Sequence, residues 1–360
     1  MPRILFIASH RPNRSPSQRF RFEQYLKFLE ENGFEHDLSY LISEKDDITF
    51  YSPGNFRSKT SFFIKSAWKR WKDVRHANEY DIVFVQREAF MTGSTYFEKR
   101  FGRSRAKLIY DFDDAIWHFD ISEANKKFGW LKNPGKTAKI ISYADLVIAG
   151  NQYLAEYAKH HNNRVEIIPT TIDADSYTRI PVTRQDEKIV IGWSGSLTTM
   201  KHFDYAVPFL KMIKQKFGDK IIIKAIGDPN YRNEELGIRG DQWSEAKEVQ
   251  DLSTFDIGIM PLPNDEWAKG KCGLKGLQYM ALEIPVVISP VGVNTEIVHD
   301  GVNGFLAASN EEWVVKISEL INSPERRRSI GAEGRKTVVD RYSVSSQKMN
   351  YLRIFKEMSA

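Results

Sequence analysis

The sequence holds a single cysteine, Cys272, in 360 residues. That excludes an intramolecular disulfide and fits a reducing compartment. No apolar run comes near the roughly 20 residues that a membrane-spanning helix needs. No leader pattern is present either, because Met1-Pro2-Arg3-Ile4 runs straight into a strand. A soluble, cytoplasmic protein is the expectation. Low-complexity tracts and internal repeats are absent, apart from an architecture shared by the two halves. The basic residues are joined to no motif that reads nucleic acid, which argues against such a partner.

What is present is a globular composition, 41% apolar and 12% aromatic, in a chain long enough for two domains. The net charge of +5 is uneven: residues 1–185 carry 29 Lys+Arg against 23 Asp+Glu, the remainder 23 against 24. Modest basicity in the first half fits an anionic partner such as a phospholipid surface, a lipid diphosphate or nucleic acid. Buried-type strands are predicted at Arg3–Ser9, His36–Leu41, Asp81–Gln86, Lys107–Phe112, Leu146–Ala149 and Val165–Ile168. A helix is predicted over Arg19–Asn32, closed by Gly33. After a polar, proline-started stretch from Pro181 to Glu187, a second series follows: Ile189–Trp193, Ile221–Ile226, Ile257–Pro261, Val286–Ser289 and Phe305–Ala307. Strands alternating with helices imply parallel sheets with right-handed crossovers, hence two doubly wound α/β domains, 1–182 and 183–343. A last helix over about Ser345–Met358, within 344–360, carries an apolar stripe of Met349, Leu352, Ile354 and Phe355.

In open α/β sheets ligands sit at the carboxyl ends of strands, so those segments are read first. The most informative is residues 269–306. Lys269, Gly270, Lys271 and Gly273 lead into a helix over Leu274–Leu282 that carries Lys275 in its first turn, and a strand then opens into a loop of Gly292, Val293, Asn294, Thr295 and Glu296. Free backbone N–H groups, a positive helix end and ammonium groups at one sheet edge suit a phosphate. After Ile189–Trp193 the loop Ser194-Gly195-Ser196-Leu197-Thr198-Thr199-Met200-Lys201 offers close backbone approach at Gly195, hydroxyl donors including Ser196, and a cation at Lys201. Any single lysine reads better as a solvated surface charge. Three at strand-to-helix junctions of one domain favour phosphate contact. Asp228 ends another strand, and Glu296 reads either as a sugar-hydroxyl acceptor or as a first-turn acid favoured by the helix dipole.

The string Gln278-Tyr279-Met280-Ala281-Leu282-Glu283-Ile284-Pro285-Val286-Val287, followed by Val291-Gly292 and Asn303-Gly304, resembles the donor-binding half of glycosyltransferase family 4. The resemblance is strong from Ile189 to Ala307 and loose before it. It implies the GT-B fold, two Rossmann-like domains facing across a cleft, with the last helix crossing back to the N-terminal domain. It also implies a nucleotide-sugar donor (UDP-, GDP- or dTDP-linked), retention of anomeric configuration, no metal and no cofactor. The acceptor would be a glycan or lipid-linked molecule, as in bacterial surface polysaccharide synthesis. Lys201 matches the family's lysine, while Ser196 stands where an arginine is usual. Of the family's paired acids the second falls on Gln278. The first falls on Gly270, with Glu266 the nearest upstream acid. A nucleotide-sugar epimerase on the same fold and a non-catalytic nucleotide-sugar binder are the rival readings.

In the N-terminal half, His10-Arg11-Pro12-Asn13-Arg14-Ser15-Pro16-Ser17-Gln18-Arg19-Phe20-Arg21 suggests an anion site for an acceptor phosphate, with Arg19 and Arg21 the chosen ligands. Asp111, Asp113 and Asp114, followed by His118, cluster at a strand end where acids must be paired or used. Asp113 or Asp114 is the candidate to orient the acceptor hydroxyl or take its proton. Finally, Phe56–His76 reads either as an interfacial helix on anionic membrane at the inner face of the cell membrane, or as an ordinary helix with its aromatics in the core.

Overall fold

The computed structural model describes residues 1–51, 56–118, 133, 135–182, 187–196 and 199–360. The chain forms two compact units, Met1–Thr170 with Gln347–Ala360, and Thr171–Ser346.

The first unit is built on six parallel strands, β1 (Arg3–His10), β2 (Glu35–Ile42), β3 (Ile82–Gln86), β4 (Lys107–Phe112), β5 (Leu146–Ala149) and β6 (Val165–Ile167). Their order is β2-β1-β3-β4-β5-β6. All five residues of β3 are buried, as expected of a central strand covered on both faces. Phe6 of β1 packs against Phe22, Phe84 and Phe355 at centroid distances of 5.0, 5.1 and 6.1 Å. Phe355 lies on the last helix, Val344–Ser359, whose Tyr351 stacks on Tyr25 at 4.1 Å. Met349, which the spacing puts on the apolar stripe, is exposed, and Tyr351 and Met358 are buried instead.

The expected helix over Arg19–Asn32 is broken into Pro16–Arg19, a 3₁₀ turn at Glu23–Tyr25 and Leu26–Glu31. The reason is packing. Phe20, Arg21 and Phe22 are all buried, and three successive positions cannot share one face of a straight helix.

The second unit carries β7 (Ile189–Ser194), β8 (Ile221–Gly227), a short hairpin β9 (Arg232–Asn233) and β10 (Ile238–Arg239), and then β11 (Asp241–Gln242), β12 (Ile257–Met260), β13 (Val286–Ile288) and β14 (Phe305–Leu306). Its six-stranded sheet runs β11-β8-β7-β12-β13-β14. Trp193, Phe203, Phe209 and Trp313 anchor the core, the last two stacked at 4.4 Å. The units divide at Thr170/Thr171, upstream of the 182/183 boundary read from composition. Residues 171–179 are tied into the second unit: Ile172 bridges Ser343, the Tyr177 hydroxyl donates to Glu248, and Arg179 donates to the Phe255 carbonyl. Within the stretch read as a linker, residues 183–186 lie outside the described ones.

Both sheets reverse strand order beside their first strand, between β1 and β3 and between β7 and β12. Such a switch point opens a crevice at the carboxyl ends, where loops leave in opposite directions.

Candidate functional site

At the switch point of the second unit, the segment after β7 meets the segment after β12. The end of β7 is fixed first: the Tyr279 hydroxyl accepts from the Ser194 amide at 2.8 Å and lies 3.0 Å from the Ser194 hydroxyl. The chain then passes directly over Trp193. A Cβ on Gly195 would sit 2.3 Å from that ring and 2.6 Å from Thr199 Oγ1, so only glycine fits. Ser196 donates its amide to Thr199 Oγ1 at 2.9 Å. Leu197 and Thr198 lie outside the described residues.

After β12, Asp265 caps the short helix Glu266–Lys269 by accepting from the Ala268 amide at 2.7 Å. This helix presents Trp267, and the cations gather on it. Lys271 Nζ lies 3.4 Å from the Trp267 ring centroid and Lys201 Nζ 5.5 Å. The buried imidazole of His202 stacks on the same indole at 5.0 Å, with an interplanar angle of 10°. Lys275 Nζ lies 4.8 Å from the Trp193 ring. The three lysines chosen from the sequence therefore meet around two indoles. Each such contact is worth about 0.5–2 kcal/mol, so the rings hold the ammonium groups in place without neutralising them.

Proton affinities register the burial and the neighbouring charges. Burial, then Lys275, Lys271 and Lys201, push His202 down to about 4, opposed by Asp265. Neither His202 ring nitrogen has a hydrogen-bond partner among the described residues. Burial, then Lys271, lowers Lys275 to about 7. Lys275 keeps partial solvent exposure, so the effect belongs to its ammonium end beside Trp193 and Lys271. A site that repels protons in this way is primed to take an anion.

The helix Leu274–Ala281 starts inside this cluster. The 292–294 loop closes the next side: Gly292 has φ +55°, and a Cβ there would sit 2.6 Å from the Lys269 carbonyl oxygen. Val293 and Asn294 are buried, and Asn294 donates its side-chain amide to the Ser289 carbonyl. Glu296 is exposed.

Other candidates are placed differently. Gln278 is buried and donates to the Tyr177 hydroxyl at 3.0 Å; Tyr177 in turn donates to Glu248, which accepts from Trp243 Nε1 at 2.9 Å. Glu266 is an exposed acid bound to Lys269 at 2.5 Å. Asp228 accepts from the Asn230 amide at 2.8 Å and shapes the turn after β8.

In the first unit, Arg21 and Asp111 find each other in the interior, where both are fully buried. Arg21 Nε donates to Asp111 at 3.2 Å, and Arg21 also donates to the Ile168 carbonyl. Burial raises Asp111 and Arg21 opposes it. Arg19 lies 4.9 Å over the Phe20 ring. Arg87, at the end of β3 with φ +61°, donates to Asp113 at 2.7 Å and lies 3.6 Å from Asp114. His118 reaches Tyr153 at 3.3 Å beside Trp117, which stacks on Tyr157 at 3.7 Å. Arg11 and Arg14 both donate to Asp47, at 2.7 and 2.6 Å. Beside them, burial and then Arg14 push His10 down to about 4.

Trp267, His202, Trp193, Asp265 and Arg87 were missed by sequence reasoning. A tryptophan next to an acid cap after a central strand was the available signal. Among the described residues, no group of three or more His, Cys, Asp or Glu could hold a metal ion, and no helix is long and apolar enough to cross a membrane.

Residues 188–323 match the family model described as glycosyl transferases group 1. The uncharacterized glycosyltransferase MJ1178 of Methanocaldococcus jannaschii is 36% identical over 172 residues, 46% of this chain and 47% of that protein. The alignment thus spans about half the length of this relative. Among solved structures, sucrose-phosphate synthase from Thermosynechococcus elongatus superposes with a TM-score of 0.72 at 14% identity, covering 99% of each chain. Anabaena Alr3699/HepE in complex with UDP-glucose superposes with 0.66 at 15%, covering 99% of this chain and 100% of that one. The chain therefore has the GT-B fold, with the group 1 glycosyltransferase match lying wholly in its second unit.

Proposed function

We propose that the protein is a glycosyltransferase that moves a sugar from a nucleotide-sugar donor to a glycan or lipid-linked acceptor. The observation that carries this reading is the gathering of Lys201, Lys271 and Lys275 around Trp267 and Trp193 at the strand ends of the second unit. Cleavage of a glycosyl–phosphate bond leaves a nucleoside diphosphate with new charge on its terminal oxygens. Ammonium groups held in place before the reaction stabilise that charge without reorganising. On this reading Lys201 and Lys271 pair with the diphosphate and Lys275 takes up a proton to join them. The 292–294 loop borders the donor, and Gln278, in the position the resemblance gives to the family's second acid, supports that side from its buried network with Tyr177. Asp113 and Asp114, steered by Arg87, are the candidates to orient the acceptor hydroxyl. Retention of configuration, family 4 chemistry without a metal, and a role in bacterial surface polysaccharide synthesis extend the reading by resemblance. UDP is the first nucleotide to try, because HepE has been solved with UDP-glucose.

One observation favours a second reading, a nucleotide-sugar binder without turnover: Ser196, where the family usually has an arginine, is turned toward Thr199. A thermal-shift screen of UDP, GDP, dTDP and their sugars, followed by an assay for release of the nucleotide, separates the two. The transferase reading predicts a selective rise in Tm with one nucleotide and slow release of it from its sugar. A rise with no release under any acceptor would leave the binder. No rise with any nucleotide would end both.

A further inference from the structure

We propose that the outward face of the helix Phe56–His76 docks on an anionic lipid surface. Sequence left this helix between two readings, aromatics in the core or aromatics at an interface, and the structure divides the aromatics. Phe62 faces inward and is buried, whereas Ile64, Trp68 and Trp71 are 67, 57 and 41% exposed.

The helix is not free to roll and hide them. Arg70, on the opposite side, is fully buried and donates to the carbonyls of Ala8, Ala89 and Ser39 and to Asp73. At about 100° per residue, Arg57, Ile64, Trp68, Trp71 and Arg75 fall within an arc of about 60°. Lys65 and Lys72 flank it.

Two cations are already seated on the exposed indoles: Lys72 Nζ lies 3.7 Å over Trp68 and the Arg75 guanidinium 3.9 Å over Trp71. Acids are turned away or spent nearby. Asp73 binds Arg70 and Ser39, Glu79 binds His76, and Asp46 lies 3.6 Å from Lys65. Arg57, Lys72 and Arg75 are left as the cations of the stripe. Indoles settle at headgroup depth, and cations beside them meet lipid phosphates, so interleaving the two matches an anionic bilayer surface. Two exposed indoles beside Ile64 form an apolar patch that water does not reward.

This inference is independent of the proposed transfer reaction. Its test is co-sedimentation of the full chain with vesicles of phosphatidylglycerol in phosphatidylcholine, against phosphatidylcholine alone. Binding is expected only with the anionic lipid, with a blue shift in tryptophan emission, and it weakens as salt rises. Lys72→Glu/Arg75→Glu is expected to weaken partitioning at least about 25-fold, at about fivefold per cation. Trp68→Ala/Trp71→Ala should weaken it roughly tenfold and abolish the emission shift. All four positions are exposed, so an unchanged Tm and unchanged UDP affinity confirm that the variants are folded and keep this result separate from the donor site. The proposal is overturned by equal binding to neutral vesicles, by no binding at low salt, or by variants that bind like the wild type. Displacement of the vesicles by a single-stranded oligonucleotide that binds more tightly would assign the face to nucleic acid instead.

Discussion

The two strand-end regions handle positive charge in opposite ways. In the first unit Arg11 and Arg14 converge on Asp47, Arg87 bridges toward Asp113 and Asp114, and Arg21 is sealed against Asp111. In the second unit like charges gather on two indoles, and burial, then the neighbouring lysines, lowers the proton affinity of His202 and Lys275. An arginine sealed against its carboxylate, as Arg21 is against Asp111, organises the fold, whereas Arg87 positions two acids at a strand end. Ammonium groups gathered on indole rings at strand ends are the proposed receivers of an external anion. The difference lets mutations be sorted before they are made.

The largest expected effect is on the structural side. Asp111→Ala strands a buried guanidinium and should cost about 3–5 kcal/mol in urea unfolding. UDP affinity of the folded fraction should not change; if it falls with stability intact, the first-unit pair has a binding role and the comparison breaks. Next comes Lys271→Ala or Lys201→Ala. Each should lose about 1.5–3 kcal/mol of UDP binding by calorimetry, the worth of a hydrogen bond to a charged group, while Tm changes by no more than the loss of one indole contact. A fall in Tm with unchanged UDP affinity would make these lysines structural.

The smallest effect sharpens the picture. Lys275 is lowered to about 7, so at pH 8 the free protein holds it mostly neutral, and a bound diphosphate restores its charge. UDP binding should then take up a fraction of a proton at pH 8 and much less at pH 6, where the ammonium is already formed. Titrations in buffers of different ionisation enthalpy read this directly. The sign follows from the same linkage that makes a lowered lysine a cost at neutral pH: the unfolded chain, near 10.5, binds the proton that the folded one gives up.

Much of this was legible in the sequence because it is local. The expected strands match the observed ones to within one or two residues, since runs such as Ile82–Gln86 and Ile257–Met260 are buried along their length and bounded by turn residues. Lys201, Lys271 and Lys275 were legible because they follow strand ends. Their common centre was not. Trp267 and His202 are far apart in sequence and meet only because β7 and β12 are neighbours, an order that no local pattern states. The Arg21–Asp111 pair spans 90 positions for the same reason, so two residues read as acceptor-side candidates meet in the interior. Gln278 was matched by resemblance, but its buried network with Tyr177, Glu248 and Trp243 depends on residues 171–179 being held in the second unit.

The most direct test compares UDP with uridine on the wild type and on Lys201→Ala/Lys271→Ala. If the lysine cluster receives the diphosphate, the wild type prefers UDP strongly and the double variant binds UDP hardly better than uridine. A double variant that keeps the full preference would contradict the account, because the phosphates would then be held elsewhere.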